Sequence, residues 1–381
     1  MKTQLNVGLI GHKFMGKAHT HALRDVAMFF DLDAVPVMKV ICGVEDDLEE
    51  AAHRYGWQEC THSWDQVVND PEIDIVDIAT PGNTHREIAV AAARQGKHIL
   101  CEKPLALTSD EAREMYECAE KAHINHMVNF NYRRLPAVAL TKKLINEGQL
   151  GTIYHFRGTY QQDWPLDPNF PFVWRMDKTI AGGGSMADKG SHLVDLARYL
   201  VGEIAEVACA SSIFVRERPM PGRNREHKQV TTDDAAVFIA RFESGAQGVF
   251  HTSRVSAGHK NSLTFEVNGS NGSVIFDLER LNELQFYTTS DPADANGFRR
   301  IMVTEPLHRY IKNWWPPGHV LGWEHTFVNQ YYEFLRAIAQ HSPCSPSFFD
   351  GVKNLEVLAA IEVAAAERRW AKLGESNFRS E

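Results

Sequence analysis

The first 130 residues alternate between short apolar runs and segments with helical periodicity, and this alternation limits the possible folds most strongly. Strands that are apolar on both faces and separated by helices form a parallel sheet, because each crossover must return over one face. This half is therefore predicted to be a doubly wound α/β domain. Strands are expected at residues 5–10, 37–44, 73–79, 97–101 and 127–130, and helices at residues 15–30, 46–55, 84–95 and 109–121.

The pattern changes after Arg133. Extended segments with turn signals at Asn268-Gly269 and Asn271-Gly272 are typical of antiparallel strands in a second sheet. Two long irregular segments, residues 164–174 and 291–323, carry too many aromatic residues to be disordered. Strands are expected at residues 153–160, 206–215, 235–242, 248–254 and 263–269, and helices at residues 137–147, 324–339 and 350–372.

Composition excludes several classes of protein. The length of 381 residues suits two domains, or one domain with a large appendage. The net charge of −9 leaves no excess of Lys and Arg for binding nucleic acid. No apolar stretch approaches the roughly 20 residues that a membrane-spanning helix needs. Met1 to Asn6 is a polar lead into a strand rather than a cleavable signal. We therefore expect a cytoplasmic protein with no nucleic-acid or membrane partner.

The six cysteines are scattered along the chain. They form no Cys-x-x-Cys pair and no Cys/His spacing of the kind that binds zinc. We therefore expect reduced thiols and no metal site.

The segment from Val7 to Gly16 runs from a predicted strand through a glycine-punctuated turn into a helix. Such a turn exposes backbone N–H groups and the positive end of the helix dipole, which together suit a pyrophosphate. Lys13 stands where the usual dinucleotide-binding pattern has its second glycine, and it could supply charge to the phosphates. Taken alone, the segment also fits a plain tight turn.

Two further polar segments follow predicted strands: residues 80–85 and the triplet Glu102-Lys103-Pro104. Ligands of open α/β sheets bind beyond the carboxyl ends of the strands. Desolvation and a neighbouring positive charge at that place would lower the pKa of Lys103 toward a value that suits a general base. Taken alone, the first segment also fits a helix N-cap and the second a surface turn.

The glycine-rich segment Gly182 to Asp195 contains Asp188 and His192. Residues four apart share a face of an α-helix, and the glycines before them allow a ligand to approach the backbone closely. Taken alone, the pair also fits an ion pair on a helix surface.

These motifs occur together in the order and at the spacings of one family. Gly11 to Gly16, Glu102 to Pro104, residues 129–134 and Gly182 to Asp195 resemble those of the glucose–fructose oxidoreductase / inositol dehydrogenase / rhizopine catabolism (Gfo/Idh/MocA) family. The resemblance covers nearly the whole chain. It implies an NAD(P)-binding Rossmann domain at residues 1–131 and an α+β domain at residues 132–381.

The resemblance also implies an activity and an assembly. Members of the family oxidise a secondary hydroxyl with a nicotinamide cofactor. We expect oxidation of a pyranose, an anhydrosugar such as levoglucosan, or a glycoside, at C3 of the sugar. The large, mostly antiparallel open sheet of the second domain would form the interface of a homo-oligomer, a dimer or a tetramer.

Carried over position by position, the resemblance assigns the catalytic roles to Lys103, Asp188 and His192. Hydride transfer from a carbinol leaves a hydroxyl proton, which a base within hydrogen-bond reach must accept. We expect Lys103 and His192 to act as a coupled pair around the reacting oxygen, with Asp188 orienting the sugar. Which of the two accepts the proton stays open.

The resemblance further implies which residues bind the cofactor. Those of the turn are Gly11, Lys13, Phe14 and Met15; those around the ribose and nicotinamide are Thr80, Pro81, Asn83, His85, Glu102, Lys103 and Asn131, joined by Trp174 and Arg175 of the second domain.

The acidic residue that binds the adenosine ribose in this family falls at or near Gly43. Glycine cannot do this, so Glu45 or Asp46 would have to take its place. NAD is expected, because no Arg follows the strand to receive the 2′-phosphate of NADP, although NADP is not excluded.

Substrate binding is expected from aromatic side chains interspersed with Gln, Asp and His, since sugars stack their C–H faces and pair their hydroxyls. Each tryptophan also fits a core or oligomer contact. The alternatives for function are a cyclitol dehydrogenase acting on inositol, a tightly held cofactor recycled in place, and a non-catalytic cofactor-binding regulator. The predicted sugar-binding residues are Lys103, Tyr132, Gln161, Asp163, Asp188, His192 and His325.

Overall fold

The computed structural model describes residues 2–374, with the backbone alone at residues 223–225. Met1 and residues 375–381, which the predicted domains include, lie outside the described residues. The described chain divides into two compact units, one of residues 2–134 and 322–353, the other of residues 135–321 and 354–374. The predicted division of function at residues 131/132 stays a prediction.

A six-stranded parallel sheet forms the centre of the first unit, in the order β3-β2-β1-β4-β5-β6. This is the strand order of a Rossmann domain, so the predicted doubly wound fold is confirmed. The three-residue β3 was not predicted, because it is short and lacks an apolar pattern. The strands are β1 (Thr3–Ile10), β2 (Ala34–Cys42), β3 (Glu59–Thr61), β4 (Ile75–Ile78), β5 (His98–Cys101) and β6 (His126–Val128).

A nine-stranded sheet forms the centre of the second unit, in the order β16-β15-β14-β13-β7-β12-β11-β8-β17. Only β7 and β12 pair in parallel, so the predicted, mostly antiparallel sheet is confirmed. β9 (Glu217–Met220) and β10 (Arg223–Gln229) pair separately. The sheet strands are β7 (Ile153–Gln161), β8 (Ile204–Ser212), β11 (Ala235–Phe242), β12 (Gln247–Ser253), β13 (Ser262–Gly269), β14 (Gly272–Asp277), β15 (Glu283–Thr288), β16 (Arg299–Met302) and β17 (Ala371–Lys372).

The α-helices follow most of the predicted segments, and the six-residue α3 and the four-residue α7 are additions to them. No helix in the described part of the chain is both long enough and apolar enough to cross a membrane. The predicted cytoplasmic location stays a prediction. The helices are α1 (Phe14–Phe29), α2 (Leu48–Tyr55), α3 (Trp64–Asn69), α4 (His85–Arg94), α5 (Ser109–Lys121), α6 (Pro136–Asn146), α7 (Lys178–Ala181), α8 (Ser191–Leu200), α9 (His325–Ala339) and α10 (Phe348–Glu367).

Three predictions in the second half were wrong in detail. The segment 291–323 is not wholly irregular, because it contains β16. The turn between β13 and β14 is Ser270-Asn271, and the predicted turn residues Asn268-Gly269 belong to β13. The last helix stops at Glu367 because Arg368 has a φ of 54°, in the left-handed region, and β17 follows.

Side chains alternate across the nine-stranded sheet. On β11, Phe238 and Ala240 are buried, whereas Val237 and Ile239 are about half exposed. Phe238 stacks on Phe250 of β12 with ring centroids 4.2 Å apart. One face of the sheet therefore carries the core, and the other face presents apolar residues that are about half exposed.

Helix α5 shows how local sequence sets an element of the first unit. Thr108 caps it by accepting a hydrogen bond from the backbone N–H of Glu111 at 3.2 Å. Ala112, Met115 and Ala119 recur at helical spacing and are fully buried. Both ends of this helix were predicted correctly.

We expect Met115→Ala to lower the free energy of unfolding by about 2 to 5 kcal/mol, because the lost side chain leaves a cavity. Glu117→Ala, at an exposed position of the same helix, should change it by less than about 0.5 kcal/mol. Urea titration of both variants measures the difference. Equal effects would show that α5 does not pack as described.

Candidate active site

Two positions in the turn after β1 accept only glycine. Gly11 has a φ of 108°, and a Cβ there would lie 2.6 Å from the carbonyl oxygen of Ala79. A Cβ on Gly16 would lie 1.8 Å from the carbonyl oxygen of Gly11. This contact draws the start of α1 tightly against the turn.

The first turn of α1 fits a pyrophosphate. Lys13 occupies the N-cap position, and its side chain makes no capping hydrogen bond, so the first N–H groups of the helix remain for a ligand. Phe14 is largely exposed, and its ring stacks on Trp323 at 5.7 Å between centroids. Gly11, Lys13, Phe14 and Met15 all lie on this turn, and the residues present fit a dinucleotide.

The acidic segment after β2 lies beside the same turn. The carboxylate of Glu45 is half exposed and lies 3.4 Å from His12 Nδ1, and Asp46 is exposed. The sequence did not single out Asp47, which accepts hydrogen bonds from His12 Nε2 at 2.8 Å and Lys13 Nζ at 2.5 Å.

The loop after β4 carries Thr80, Pro81 and Asn83 and leads into α4 at His85. The ring of His85 is buried, with Nε2 2.9 Å from the carbonyl oxygen of Thr80 and Nδ1 3.1 Å from that of Pro104. Burial lowers the pKa of His85. His85 therefore connects the loop after β4 to the loop that carries Lys103.

Lys103 follows β5 at the carboxyl edge of the sheet, and Glu102 fixes its backbone. Glu102 is buried, and its Oε2 accepts a hydrogen bond from the Lys103 backbone N–H at 3.1 Å. Its Oε1 accepts from Asn129 Nδ2 at 2.5 Å and lies 3.0 Å from His19 Nε2. Asn129 and His19 were not predicted to belong to the site.

His19 lies fully buried between two carboxylates. Its Nδ1 is 2.9 Å from both oxygens of Asp77, which also accepts a hydrogen bond from the Tyr331 hydroxyl. Burial by itself would lower the pKa of His19. The two carboxylates of Asp77 and Glu102 outweigh this effect and raise the pKa to about 10. Conversely, burial acts to raise the pKa of Glu102, and His19 lowers it below its ordinary value. The imidazolium and its carboxylates form one charged network behind Lys103.

A sequence signal for this network exists at Asp77. A carboxylate in the middle of an otherwise apolar, fully buried strand requires a buried partner, because an unpaired buried charge is very costly. His19, three residues after Gly16 on the inner side of α1, is such a partner, but the sequence does not show that the two meet.

Three predicted residues of the first unit lie further along the chain. Asn131 and Tyr132 are buried after β6, and Asn131 Nδ2 donates to Thr326 Oγ1 at 2.7 Å. His325 begins α9, and its Nδ1 accepts a hydrogen bond from the Gly322 N–H at 3.0 Å. His325 thus belongs to the same compact unit as the cofactor turn.

The glycine-rich segment of the second unit departs from the predicted helix. Residues Met186–Gly190 form a π-helical turn, and the α-helix begins only at Ser191. The expected α-helical face shared by Asp188 and His192 is therefore wrong in detail. The carboxylate of Asp233 fixes the start of this segment, because it accepts hydrogen bonds from the N–H groups of Gly184 and Met186 at 2.8 and 2.9 Å. Such π turns are frequent at functional sites.

The environments of these two residues differ. His192 is buried, with its ring 6.0 Å from that of Tyr160. The side chain of Asp188 is 38% exposed, and its Oδ2 accepts from Lys189 Nζ at 3.2 Å. The second unit thus presents one buried imidazole and one accessible carboxylate, whereas Lys103 belongs to the first unit.

The remaining predicted residues of the second unit are also held in place. Gln161, at the end of β7, has its Nε2 3.2 Å from Ser256 Oγ. Asp163 accepts from Lys260 Nζ at 2.8 Å, and Lys260 lowers its pKa. The Arg175 guanidinium lies 4.3 Å from the ring centroid of Trp174.

Three features indicate one class of protein, the oxidoreductases that use a dinucleotide cofactor. They are the Rossmann strand order, the glycine-dependent turn and the lysine after β5. Family models agree: residues 5–130 match the oxidoreductase family with an NAD-binding Rossmann fold, and residues 138–275 match the GFO/IDH/MocA C-terminal domain. The chain belongs to the GFO/IDH/MocA family of oxidoreductases.

Individual relatives match along nearly the whole chain. Levoglucosan dehydrogenase of Pseudarthrobacter phenanthrenivorans is 45% identical, covering 96% of this chain and 97% of that protein. A structure of levoglucosan dehydrogenase in complex with NADH and levoglucosan, also 45% identical, covers 98% of this chain and 100% of that chain with a TM-score of 0.95. Myo-inositol 2-dehydrogenase of Thermotoga maritima is 28% identical over 97% of this chain and 99% of that protein.

These findings confirm the predicted family, fold and oxidoreductase activity, and NAD as the cofactor. The predicted site residues, the oxidised position and the oligomer stay predictions.

The His19 network predicts a pH dependence of stability. The pKa of His19 is about 10 in the folded protein and near 6.5 when unfolded. The stabilisation is therefore complete below pH 6.5 and is lost as the pH rises toward 10, by up to about 1.4 kcal/mol per pH unit.

We expect the free energy of unfolding of the wild type to fall more steeply between pH 7 and 10 than that of His19→Gln. Denaturant titrations across this range measure both slopes. His21→Gln, on the same helix but partly exposed, serves as the control and should follow the wild type. Parallel profiles for His19→Gln and the wild type would contradict a buried imidazolium.

Proposed function

We propose that the protein oxidises a secondary hydroxyl of a pyranose, of an anhydrosugar such as levoglucosan, or of a glycoside, with NAD as oxidant and C3 as the oxidised position. One observation carries the proposal: the buried carboxylate of Glu102 fixes the backbone of Lys103 at the carboxyl edge of the Rossmann sheet. The similarity to levoglucosan dehydrogenase supports the choice of sugar.

The proposed cofactor site is formed mainly by the first unit. Gly11, Lys13, Phe14 and Met15 would hold the pyrophosphate at the start of α1. When bound, NAD accepts the hydride of the carbinol at its nicotinamide ring. The predicted ribose and nicotinamide contacts are Thr80, Pro81, Asn83, His85, Glu102, Lys103 and Asn131, with Trp174 and Arg175 from the second unit.

The proposed proton transfer uses the side chains of Lys103 and His192. Loss of hydride makes the hydroxyl more acidic, so a base must accept its proton as the carbonyl forms. The buried ring of His192 and the amine of Lys103 are the two candidates. Asp188, whose carboxylate is accessible, accepts hydrogen bonds from sugar hydroxyls and so orients the ring.

The proposed sugar contacts also include Tyr132, Gln161, Asp163 and His325. Gln161 and Asp163 are held by neighbouring polar groups, which suits directional recognition of hydroxyls. In functional terms, residues 1–131 would bind the cofactor, and residues 132–381 would bind the sugar and form the oligomer.

A cyclitol is the second candidate substrate. It is favoured by the similarity to myo-inositol 2-dehydrogenase. Reduced-nicotinamide absorbance with a panel of anhydrosugars, glycosides, free sugars and inositols separates the two, and analysis of the keto product locates the oxidised carbon. Turnover only with inositols would overturn the sugar proposal.

We expect Lys103→Met to lower kcat by a factor of roughly 10² to 10⁴, because the general base or its coupled partner is lost. The Kd for NAD should change far less than kcat, by about threefold, since Lys103 is only one of the proposed cofactor contacts and the pyrophosphate turn is untouched. Lys121→Met, at the exposed end of α5, is the matched control and should keep full activity. Equal turnover in Lys103→Met and the wild type would refute the proposed role.

The proposed oligomer forms through the open face of the nine-stranded sheet. Val237, Ile239 and Val249 are 49%, 42% and 48% exposed there, and Ile239 lies directly opposite Val249 on the paired strand. The ion pairs Arg157–Glu266 and Arg241–Glu206 lie on the same face of the sheet, on either side of these apolar residues. An apolar centre with a charged rim is typical of a protein interface.

We expect Ile239→Glu to convert the oligomer to smaller species, because it would bury a carboxylate in the apolar centre. Light scattering coupled to gel filtration measures the mass. Leu307→Glu, at an exposed apolar residue off this strand pair, should keep the wild-type mass. A wild-type monomer, or an unchanged mass in Ile239→Glu, would overturn this interface.

A further inference from the structure

The position that normally recognises the adenosine ribose lacks a side chain in this protein. In Rossmann domains an acidic residue after the second strand accepts hydrogen bonds from the ribose hydroxyls, and a cation near that place admits the 2′-phosphate of NADP. Here β2 ends at Cys42, and the next residue is Gly43.

The ring of His12 explains the glycine. A Cβ on Gly43 would lie 2.1 Å from His12 Nδ1 and 2.8 Å from its Cε1. His12 itself is 2% exposed, so the ring cannot move aside into solvent without leaving a cavity. A side chain at position 43 and the observed position of His12 therefore exclude each other.

His12 and Lys13 are both held by one carboxylate. Asp47 Oδ1 lies 2.8 Å from His12 Nε2 and 2.5 Å from Lys13 Nζ. Glu45 makes only a longer approach, 3.4 Å from His12 Nδ1, and Asp46 is exposed. Of the three consecutive acids, Asp47 is thus the one that is fixed to the cofactor turn.

The side chain of Asp47 does not act as a helix cap. Asp47 occupies the N-cap position of α2, where Asp ordinarily accepts a backbone hydrogen bond, but it makes none. Its carboxylate is directed to the β1–α1 turn instead. Lys13 and His12 lower the pKa of Asp47 to about 2, so it is ionised at neutral pH.

We propose that Asp47, held by His12 and Lys13, determines the preference for NAD over NADP. Its carboxylate takes over the role of the missing acid and accepts a hydrogen bond from a ribose hydroxyl of NAD. It also neutralises Lys13 and repels the 2′-phosphate of NADP, which would otherwise find a cationic site beside the turn.

The first test is direct binding, measured by calorimetry with NAD and NADP in the absence of sugar. In Asp47→Asn we expect the Kd for NAD to rise about tenfold and that for NADP to fall about tenfold, as for one charge-assisted hydrogen bond lost or gained. Asp110→Asn, exposed on α5, should leave both constants unchanged. An unchanged ratio in Asp47→Asn, or the same shift in Asp46→Asn, would overturn the proposal.

A second variant shows whether Lys13 is the cation that Asp47 neutralises. The reference is Lys13→Met, because Lys13 is also assigned to the pyrophosphate that both cofactors share. Adding Asp47→Asn to Lys13→Met should give no gain in NADP affinity, because the cation that would hold the 2′-phosphate is absent. Retention of that gain in the double variant would contradict the assignment.

The steric conflict between the ring of His12 and a side chain at position 43 gives an independent test. We expect Gly43→Asp alone to weaken NAD binding and to lower the melting temperature, because its Cβ meets the ring of His12. In a His12→Ala background the same substitution should fit and should strengthen NAD binding relative to His12→Ala. Equal harm from Gly43→Asp in both backgrounds would overturn the steric argument.

These measurements use the cofactor alone. Their failure would leave the proposed sugar oxidation untouched, and failure of the Lys103 test would leave the cofactor preference untouched.

Discussion

The charged contact of His19 with Asp77 and Glu102 is the interaction on which the first unit depends. A buried imidazolium is stable only if its charge is paired and its N–H groups are satisfied, and both carboxylates do this at 2.9 and 3.0 Å. The contact joins α1, β4 and the end of β5, and Tyr331 extends it to α9. The cofactor turn leads into α1, and Lys103 follows β5, so both adjoin these joined elements.

The second unit uses the same physical device with other residues. Arg254 and Asp234 form a buried ion pair at 2.8 Å, and Arg254 also donates to the carbonyl oxygen of Arg175. The neighbouring Asp233 holds the glycine segment that leads to Asp188 and His192. In both units a buried charge fixes a loop that carries predicted site residues. Such loops can stay irregular without losing their geometry, because their backbone groups are paired with charged side chains.

The cofactor turn shows that a departure from a motif can be compensated nearby. Lys13 in place of glycine and Gly43 in place of an acid look unrelated in the sequence. In the structure they meet, since the His12 ring fills the space at Gly43 and Asp47 binds both His12 and Lys13. Asp47, the ribose-binding acid that we propose, lies one or two positions after Glu45 and Asp46, which the sequence suggests for that role.

The sequence by itself determined the parallel sheet, the limits of α5, the antiparallel second sheet and the order of the motifs. These follow from local periodicity, capping and turn residues, which act over a few positions. Only the tertiary structure decided the π turn at Asp188, the strand β17, and the partners of His19. These depend on residues far apart in the chain: Asp77 is 58, Glu102 is 83 and Tyr331 is 312 positions from His19. A charged residue in an apolar strand predicts that a partner exists, but the packing of the whole unit decides which residue that partner is.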